Sequence, residues 1–206
     1  MLSAAPGGCP SAVDSPRNER ATMDRTIFSA VDMSWALTRM THELLERNRG
    51  ADGVVLLGIL TRGAPLAARL AAIAAAQGHP LPHGQLDITM YRDDLRANPT
   101  RPVGHTHIPG PIDGKVVVLV DDVLYSGRTV QAALAALADL GRPSAVQLVT
   151  LIDRGHRELP IQADIVGKQL PTARAERVRV RLSETDGEDL VTLSRPDADP
   201  TERSAS

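Results

Sequence analysis

Two adjacent carboxylates, Asp121 and Asp122, stand directly before the run Val123-Leu124-Tyr125-Ser126-Gly127-Arg128-Thr129. Carboxylates repel phosphate but accept hydrogen bonds from a sugar diol. Backbone N–H groups at a helix start, joined by the hydroxyls of Ser126 and Thr129, hold an anion. Acceptors for hydroxyls beside donors for a phosphate describe a ribose 5-phosphate. Neither G-x-G-x-x-G nor G-x-x-x-x-G-K-S/T occurs in the chain, which excludes the dinucleotide turn and the Walker loop.

The element that must position these acids is a strand. Val116 to Val120 is an unbroken apolar run, too short for a helix or a membrane span, as expected of a strand buried on both faces of a parallel sheet. Open α/β sheets bind ligands beyond the carboxyl ends of such strands. The helix that follows presents Val130, Ala133, Leu134 and Leu137 as its apolar face and ends at Gly141. The same pattern occurs earlier: a buried strand from Gly53 to Leu60, the turn Thr61-Arg62-Gly63-Ala64, and a helix with Pro65 at its start. The Arg62 guanidinium suits phosphate oxygens, and a simple surface turn is the alternative.

The rest of the chain supports one α/β domain. Ser29 and Asp32 form an N-cap pair for a helix ending near Gly50, with Val31, Trp35, Leu44 and Leu45 as its apolar face and Trp35 read as core. Leu86 to Tyr91 alternates as a strand. About twenty irregular residues follow, a loop long enough to be functional, carrying Arg92, Asp93, Asp94, Arg96, Arg101, His105 and His107. A metal at His105 and His107 lacks a third ligand nearby, so solvated loop histidines are preferred. Ala145 to Ile152 and Ala163 to Val166 read as strands, and Glu176 to Leu182 turns back through Asp186-Gly187 into Leu190 to Leu193 as a hairpin.

Composition narrows the class. With 206 residues, 42% hydrophobic, the chain can build one substantial core, and 2% aromatics makes that core Val, Leu, Ile and Ala. A net charge of −2 gives no global sign of nucleic-acid binding. The lone Cys9 cannot form an internal disulfide, and no signal peptide or span of ~18 apolar residues is read, so a reducing cytoplasm is expected. Residues 1–25 read as a disordered extension, with Met23 as a second possible start, and residues 195–206 as a disordered tail. The domain between them is 26–194.

Val117 to Thr129 resembles the phosphoribosyl-pyrophosphate (PRPP) signature of type I phosphoribosyltransferases. Asp121-Asp122-Val123-Leu124-Tyr125-Ser126-Gly127-Arg128-Thr129, Thr61-Arg62-Gly63 and Asp153-Arg154-Gly155-His156-Arg157-Glu158-Leu159-Pro160 resemble its PyrR branch, pyrimidine-operon attenuators with uracil phosphoribosyltransferase activity. The resemblance implies the type I fold, a central mostly parallel sheet flanked by helices with a small C-terminal hood at about 153–182 and a flexible lid at about 92–113.

By the same resemblance, Asp121 and Asp122 hold the ribose hydroxyls, Tyr125 to Thr129 seat the 5-phosphate with Val123 and Leu124 also in the PRPP-binding run, and Thr61, Arg62, Gly63 and Arg92 meet pyrophosphate, with Asp121, Asp122, Arg62 and Arg92 as catalytic residues. A non-proline cis peptide is frequent at the Thr61 turn in that family. Arg154, Val166 and Lys168 are the candidates near uracil. Mg²⁺ is expected to arrive with PRPP rather than on a protein ligand set. Expected partners are uracil, PRPP, UMP or UTP, a pyrimidine-operon mRNA leader and further copies of the chain as a homo-oligomer, with no membrane. From Arg154 to Arg181 seven Lys or Arg stand against three Asp or Glu, an excess suited to an RNA backbone, and Arg157, Arg174 and Arg177 are the candidate contacts. A solvated strand face is the alternative for that charge. Alanines at 173 and 175 replace serines common in relatives. A nucleotide-sensing RNA regulator with little or no turnover, or a phosphoribosyltransferase for another base, are the alternative functions.

Overall fold

The computed structural model of the chain describes residues 24–92 and 105–195. Asp93, Asp94, Arg96 and Arg101 of the expected lid, the N-terminal extension up to residue 23 and the tail from residue 196 lie outside the described residues.

In chain order the elements are β1 (Arg25–Phe28), α1 (Ala30–Asn48), β2 (Val54–Ile59), α2 (Gly63–Ala76), β3 (His83–Leu86), β4 (Val116–Leu124), α3 (Arg128–Leu140), β5 (Ala145–Asp153), β6 (Ile165–Gln169), β7 (Arg177–Arg181), α4 (Ser183–Asp186) and β8 (Leu190–Ser194). The main sheet has five parallel strands in the order β3-β2-β4-β5-β6. A second, antiparallel sheet has the order β1-β8-β7.

The apolar runs are continuous because both faces of the central strands are covered. Val54 and Leu56 of β2 and Val118 and Val120 of β4 face one layer, with Met33, Leu37, Met40, Leu66 and Leu70 from α1 and α2. Their neighbours Val55, Leu57, Val117 and Leu119 face the other, with Val130, Ala133 and Leu137 of α3. Strand order reverses between β2 and β4, since β2 is followed by β3 on one side and β4 by β5 on the other. The crevice beyond the carboxyl ends of β2 and β4 is therefore the expected ligand position.

Several expectations shift. Trp35 is not core: it is 70% exposed and Val31 56%, while α1 buries Met33, Ala36, Leu37, Met40 and Leu44. The cause is β1, which sequence reading missed. Its Phe28 joins Val180 and Val191 of the antiparallel sheet in the cluster that takes Met33. Leu134 is likewise exposed on α3, where Ala132 and Ala136 are buried.

The strand expected from Leu86 stops there. The Asp87 carboxylate accepts hydrogen bonds from the Thr89 N–H at 2.8 Å and hydroxyl at 2.6 Å, bending the chain into a 3₁₀ turn over Thr89–Tyr91. β6 begins two residues later than expected and belongs to the main sheet, because Asp164 is held just before it by the Leu148 N–H at 2.8 Å and by Arg47 at 2.6 Å. The Asp186-Gly187 turn is longer than a two-residue hairpin. The Leu182 carbonyl accepts the N–H groups of Thr185 and Asp186, making the short turn α4, and Gly187 takes the left-handed φ of 80° that lets β8 return.

Candidate active site at the carboxyl ends of β2 and β4

β4 runs further than its apolar core, pairing with β5 as far as Leu124 opposite Asp153. Asp121 and Asp122 thus lie within the strand. Asp121 is buried at 6% exposure, and its Oδ1 accepts the Asp122 N–H at 2.9 Å, while Asp122 Oδ1 accepts the Val123 N–H at 2.9 Å. Burial raises the Asp121 pKa well above the ordinary carboxylate range, and the neighbouring Asp122 charge raises it further. Asp122 is also raised by burial, against the opposing pull of its bond to Asp121 and the Arg62 charge. The Arg92 charge acts on Asp121 in the same lowering sense. The structure therefore brings Asp121, Asp122, Arg62 and Arg92 into one electrostatic unit.

Past β4 the chain turns through Tyr125 and Ser126 into Gly127, whose φ of 93° a side chain resists. Gly127 at the N-cap has no side chain to cap α3, which leaves the first turn of the helix suited to an anion. Among the described residues the Ser126 hydroxyl accepts one long bond, 3.4 Å from the Arg128 N–H. The loop is fixed from below by the Ser126 carbonyl, which accepts the Glu158 and Leu159 N–H groups at 3.0 and 3.1 Å. Thr129 lies in the first turn of α3.

The β2 corner is tighter. The Leu60–Thr61 peptide bond is cis. A Cβ on Gly58 would overlap the Gly63 carbonyl and Ala64 Cα, and one on Gly63 would overlap the Val120 carbonyl of β4. Arg62 reaches sideways to Asp186, with Nη2 at 2.9 Å and Nε at 3.3 Å from its two oxygens.

Beside the phosphate loop a cavity of about 710 Å³ is lined by residues that include Asp153, Arg154, His156, Gln169 and Thr172. Arg154 is buried at 7% exposure, donates to Thr172 Oγ1 and the Ala173 carbonyl at 3.1 Å each, and lies 4.4 Å from the centre of the Tyr125 ring. His156 Nε2 donates to the Thr172 carbonyl at 2.6 Å. Arg154 thus sits at this cavity, whereas Val166 and Lys168 are not part of its lining. The Val166 and Gly167 carbonyls accept from Arg39 Nη2 at 2.8 and 2.7 Å, and Lys168 Nζ lies 5.1 Å from the Phe28 ring centre. Arg39 was missed in the sequence because it reads as one more polar residue of α1.

The candidate RNA contacts divide. Arg157 is turned inward: Nη2 meets Asp153 at 2.6 Å, and Nε and Nη1 donate to the Ile161 and Tyr125 carbonyls at 2.9 Å each. It clamps the 153–161 loop instead of facing outward. Arg174 and Arg177 are exposed.

The donor set fits a magnesium ion carried by a polyphosphate. Mg²⁺ keeps several waters and binds largely through substrate phosphates, so it would reach this site with the polyphosphate; among the described residues no cluster of three or more His, Cys, Asp or Glu could hold it. Among the described residues no helix is long and apolar enough to cross a membrane.

A buried acid pair leading into a helix start, at the switch point of a parallel sheet, fits a phosphoribosyltransferase site. The family model described as "Phosphoribosyl transferase domain" matches residues 32–181. Solved structures agree on the fold: hypoxanthine phosphoribosyltransferase of Trypanosoma cruzi, 18% identical over 84% of this chain and 97% of that one, superposes with a TM-score of 0.64. A hypoxanthine phosphoribosyltransferase from Staphylococcus aureus, 19% identical over 84% and 93%, gives 0.63. Sequence relatives are more specific. The bifunctional protein PyrR of Leifsonia xyli is 58% identical over 82% of this chain and 96% of its own length, and that of Streptomyces coelicolor 58% over 85% and 92%. The chain belongs to the PyrR family.

Proposed function

We propose that the chain transfers the phosphoribosyl group of PRPP to uracil, giving UMP and pyrophosphate, and also regulates pyrimidine genes through RNA. The observation that carries the catalytic reading is the buried Asp121–Asp122 pair at the end of β4, immediately before the open N-terminus of α3.

In the transfer the C1′–O bond to pyrophosphate breaks with its electron pair leaving on the anion. Uracil N1 bonds to C1′ and gives up its proton. Positive charge develops on the ribose ring, so the site must stabilise that charge and the leaving anion, and needs no activated nucleophile of its own. Asp121 and Asp122 accept the ribose hydroxyls and favour a cationic ring. Tyr125 to Thr129 seat the 5-phosphate, with Val123 and Leu124 carrying the chain into the loop. Thr61, Arg62 and Gly63 meet the pyrophosphate, with Arg92, whose charge acts on Asp121, as a further cation. Mg²⁺ would neutralise pyrophosphate oxygens and ease their departure. Arg154 is the base-side candidate supported by its place at the cavity, and the 165–168 backbone, with Val166 and Lys168, is the weaker one, since Arg39 already holds two of its carbonyls.

For the RNA leader the exposed Arg174 and Arg177 are the contacts we propose. Arg157 would first have to give up its inward bonds. UMP or UTP at the shared site would tune RNA affinity by linkage. A homo-oligomer and a cytoplasmic setting complete the proposal.

The test is nucleotide formation from labelled uracil, PRPP and Mg²⁺, with hypoxanthine and orotate in parallel. UMP from uracil alone is expected. Turnover with hypoxanthine or orotate in preference to uracil would overturn the base assignment. Failure with all three despite PRPP binding would overturn the catalytic one. Asp121→Asn with Asp122→Asn is expected to abolish turnover while leader-RNA retention on a filter persists.

A further inference from the structure

The segment joining β7 to β8 is gripped by the pyrophosphate corner, and the grip has a direction. Arg69, two turns into α2, donates to Glu184 at 2.6 and 2.7 Å, to Asp189 at 2.7 and 2.9 Å and to the Ser183 hydroxyl at 2.9 Å. The hydrogen bonds from Arg69 hold the Glu184 and Asp189 carboxyls below their ordinary pKa values. α4 is thereby fixed to α2 independently of Arg62. From this fixed turn Asp186 faces Arg62. Its carboxylate is itself held, by the Leu182 N–H at 3.0 Å and the Thr185 hydroxyl at 2.7 Å, both to Oδ2.

The bond between the two is side-on. It occupies Nε and Nη2 of Arg62 and, among the described residues, leaves Nη1 on the opposite edge without a hydrogen-bond partner. A guanidinium has five N–H donors in a rigid fork, so a carboxylate on one edge orients the other edge. Arg62 otherwise has four rotatable side-chain bonds and 36% side-chain exposure, a poor starting point for binding a polyphosphate.

We infer that Asp186 is a positioning residue for the transfer reaction: it holds the Arg62 guanidinium so that the unoccupied edge meets the pyrophosphate of PRPP. This rests on the reading that Arg62 binds pyrophosphate. The antiparallel sheet is then part of the active site, supplying no atom to the substrate but fixing the group that does. The opposite arrangement, a latch in which Asp186 sequesters Arg62 from the anion, predicts the opposite sign when the carboxylate is removed.

The experiment compares wild type, Asp186→Asn, Asp186→Glu, Arg62→Ala and the Arg62→Ala, Asp186→Asn double variant. PRPP KM, uracil KM, kcat and inhibition by pyrophosphate are measured, with thermal unfolding of each variant as a folding control. Asp186→Asn keeps an acceptor for Leu182 and is expected to raise PRPP KM and the pyrophosphate inhibition constant about tenfold, with uracil KM unchanged. Asp186→Glu should recover part of that loss, and the double variant should be no worse than Arg62→Ala. A fall in PRPP KM for Asp186→Asn, or no change while Arg62→Ala raises it, overturns the positioning role. An unchanged PRPP KM in Arg62→Ala instead overturns the assignment of Arg62 to pyrophosphate. If Asp186→Asn lowers the unfolding temperature and weakens uracil and PRPP alike, the role is structural and the inference fails.

Discussion

The two strand–turn–helix corners of the site solve one problem in different ways. The corner after β4 is locally built: a left-handed Gly127, an uncapped α3 and a carbonyl anchored by Glu158 and Leu159 leave backbone donors open. The corner after β2 is crowded and depends on distant parts. Gly58, Gly63 and the Val120 carbonyl pack without room for a side chain, and Arg62 is held by a residue 124 positions away. A phosphate can be met by backbone alone, whereas an arginine has to be aimed, and aiming takes a second element.

The sharpest way to break the contrast is to put a methyl group into each corner. Gly58→Ala should cost about 3 kcal/mol, because its Cβ meets backbone that cannot swing away. Gly127→Ala meets Ile161 and Leu159 side-chain atoms at 3.4 Å and should cost only the left-handed penalty of about 1–2 kcal/mol. Denaturant unfolding of the two variants reads the difference, and equal costs would refute it.

Between the corners, Asp121 tests stability against function. Its folded pKa is raised from an ordinary value of 3.8, so burial favours the neutral acid. The penalty is absent below that value and grows as pH rises through the raised one. Asp121→Asn should therefore unfold roughly 3 °C higher than wild type at pH 7, an advantage that disappears toward pH 3. Its turnover should fall about 100-fold or more. A melting point lower than wild type at pH 7 would remove the strain assigned to this carboxylate.

Smaller effects are expected within the β4 corner. Ser126→Ala should raise PRPP KM roughly fivefold with unchanged melting temperature, since the hydroxyl makes only a long internal bond. Smallest is Glu158→Gln. Its pair with Arg128 at 2.8 Å joins side chains about half exposed, so unfolding should change by about 0.5 kcal/mol or less.

What was legible in the sequence follows the same division. Val116–Val120 and Asp121 to Thr129 are contiguous, so the strand, the acid pair at its end and the turn into α3 could be read from spacing alone. Arg62 was legible as a phosphate-binding type, but Asp186 read as turn chemistry because nothing local ties it to Arg62. β1 was lost for a related reason: Arg25–Phe28 is too short to show alternation and becomes a strand only by pairing with β8 near the other end of the chain. Trp35 misled because α1 carries apolar residues on two faces, and the neighbours of only one of them were visible in the spacing. Arg157 misled because charge was counted without burial. It is bonded to the Asp153 carboxylate and Ile161 carbonyl of its own loop and to the Tyr125 carbonyl of the loop after β4.

The bare approach of Gly63 to the Val120 carbonyl sets a length. β2 and β4 are hydrogen-bonded neighbours with Gly58 opposite Val120, so the corners that end them stand about one strand spacing apart, ~4.8 Å at their roots. They behave as the jaws of a caliper whose opening is locked by backbone hydrogen bonds. If the two corners hold the two anionic ends of one sugar, as proposed above, their separation is set by the sheet and not by any side chain that could adjust to the ligand.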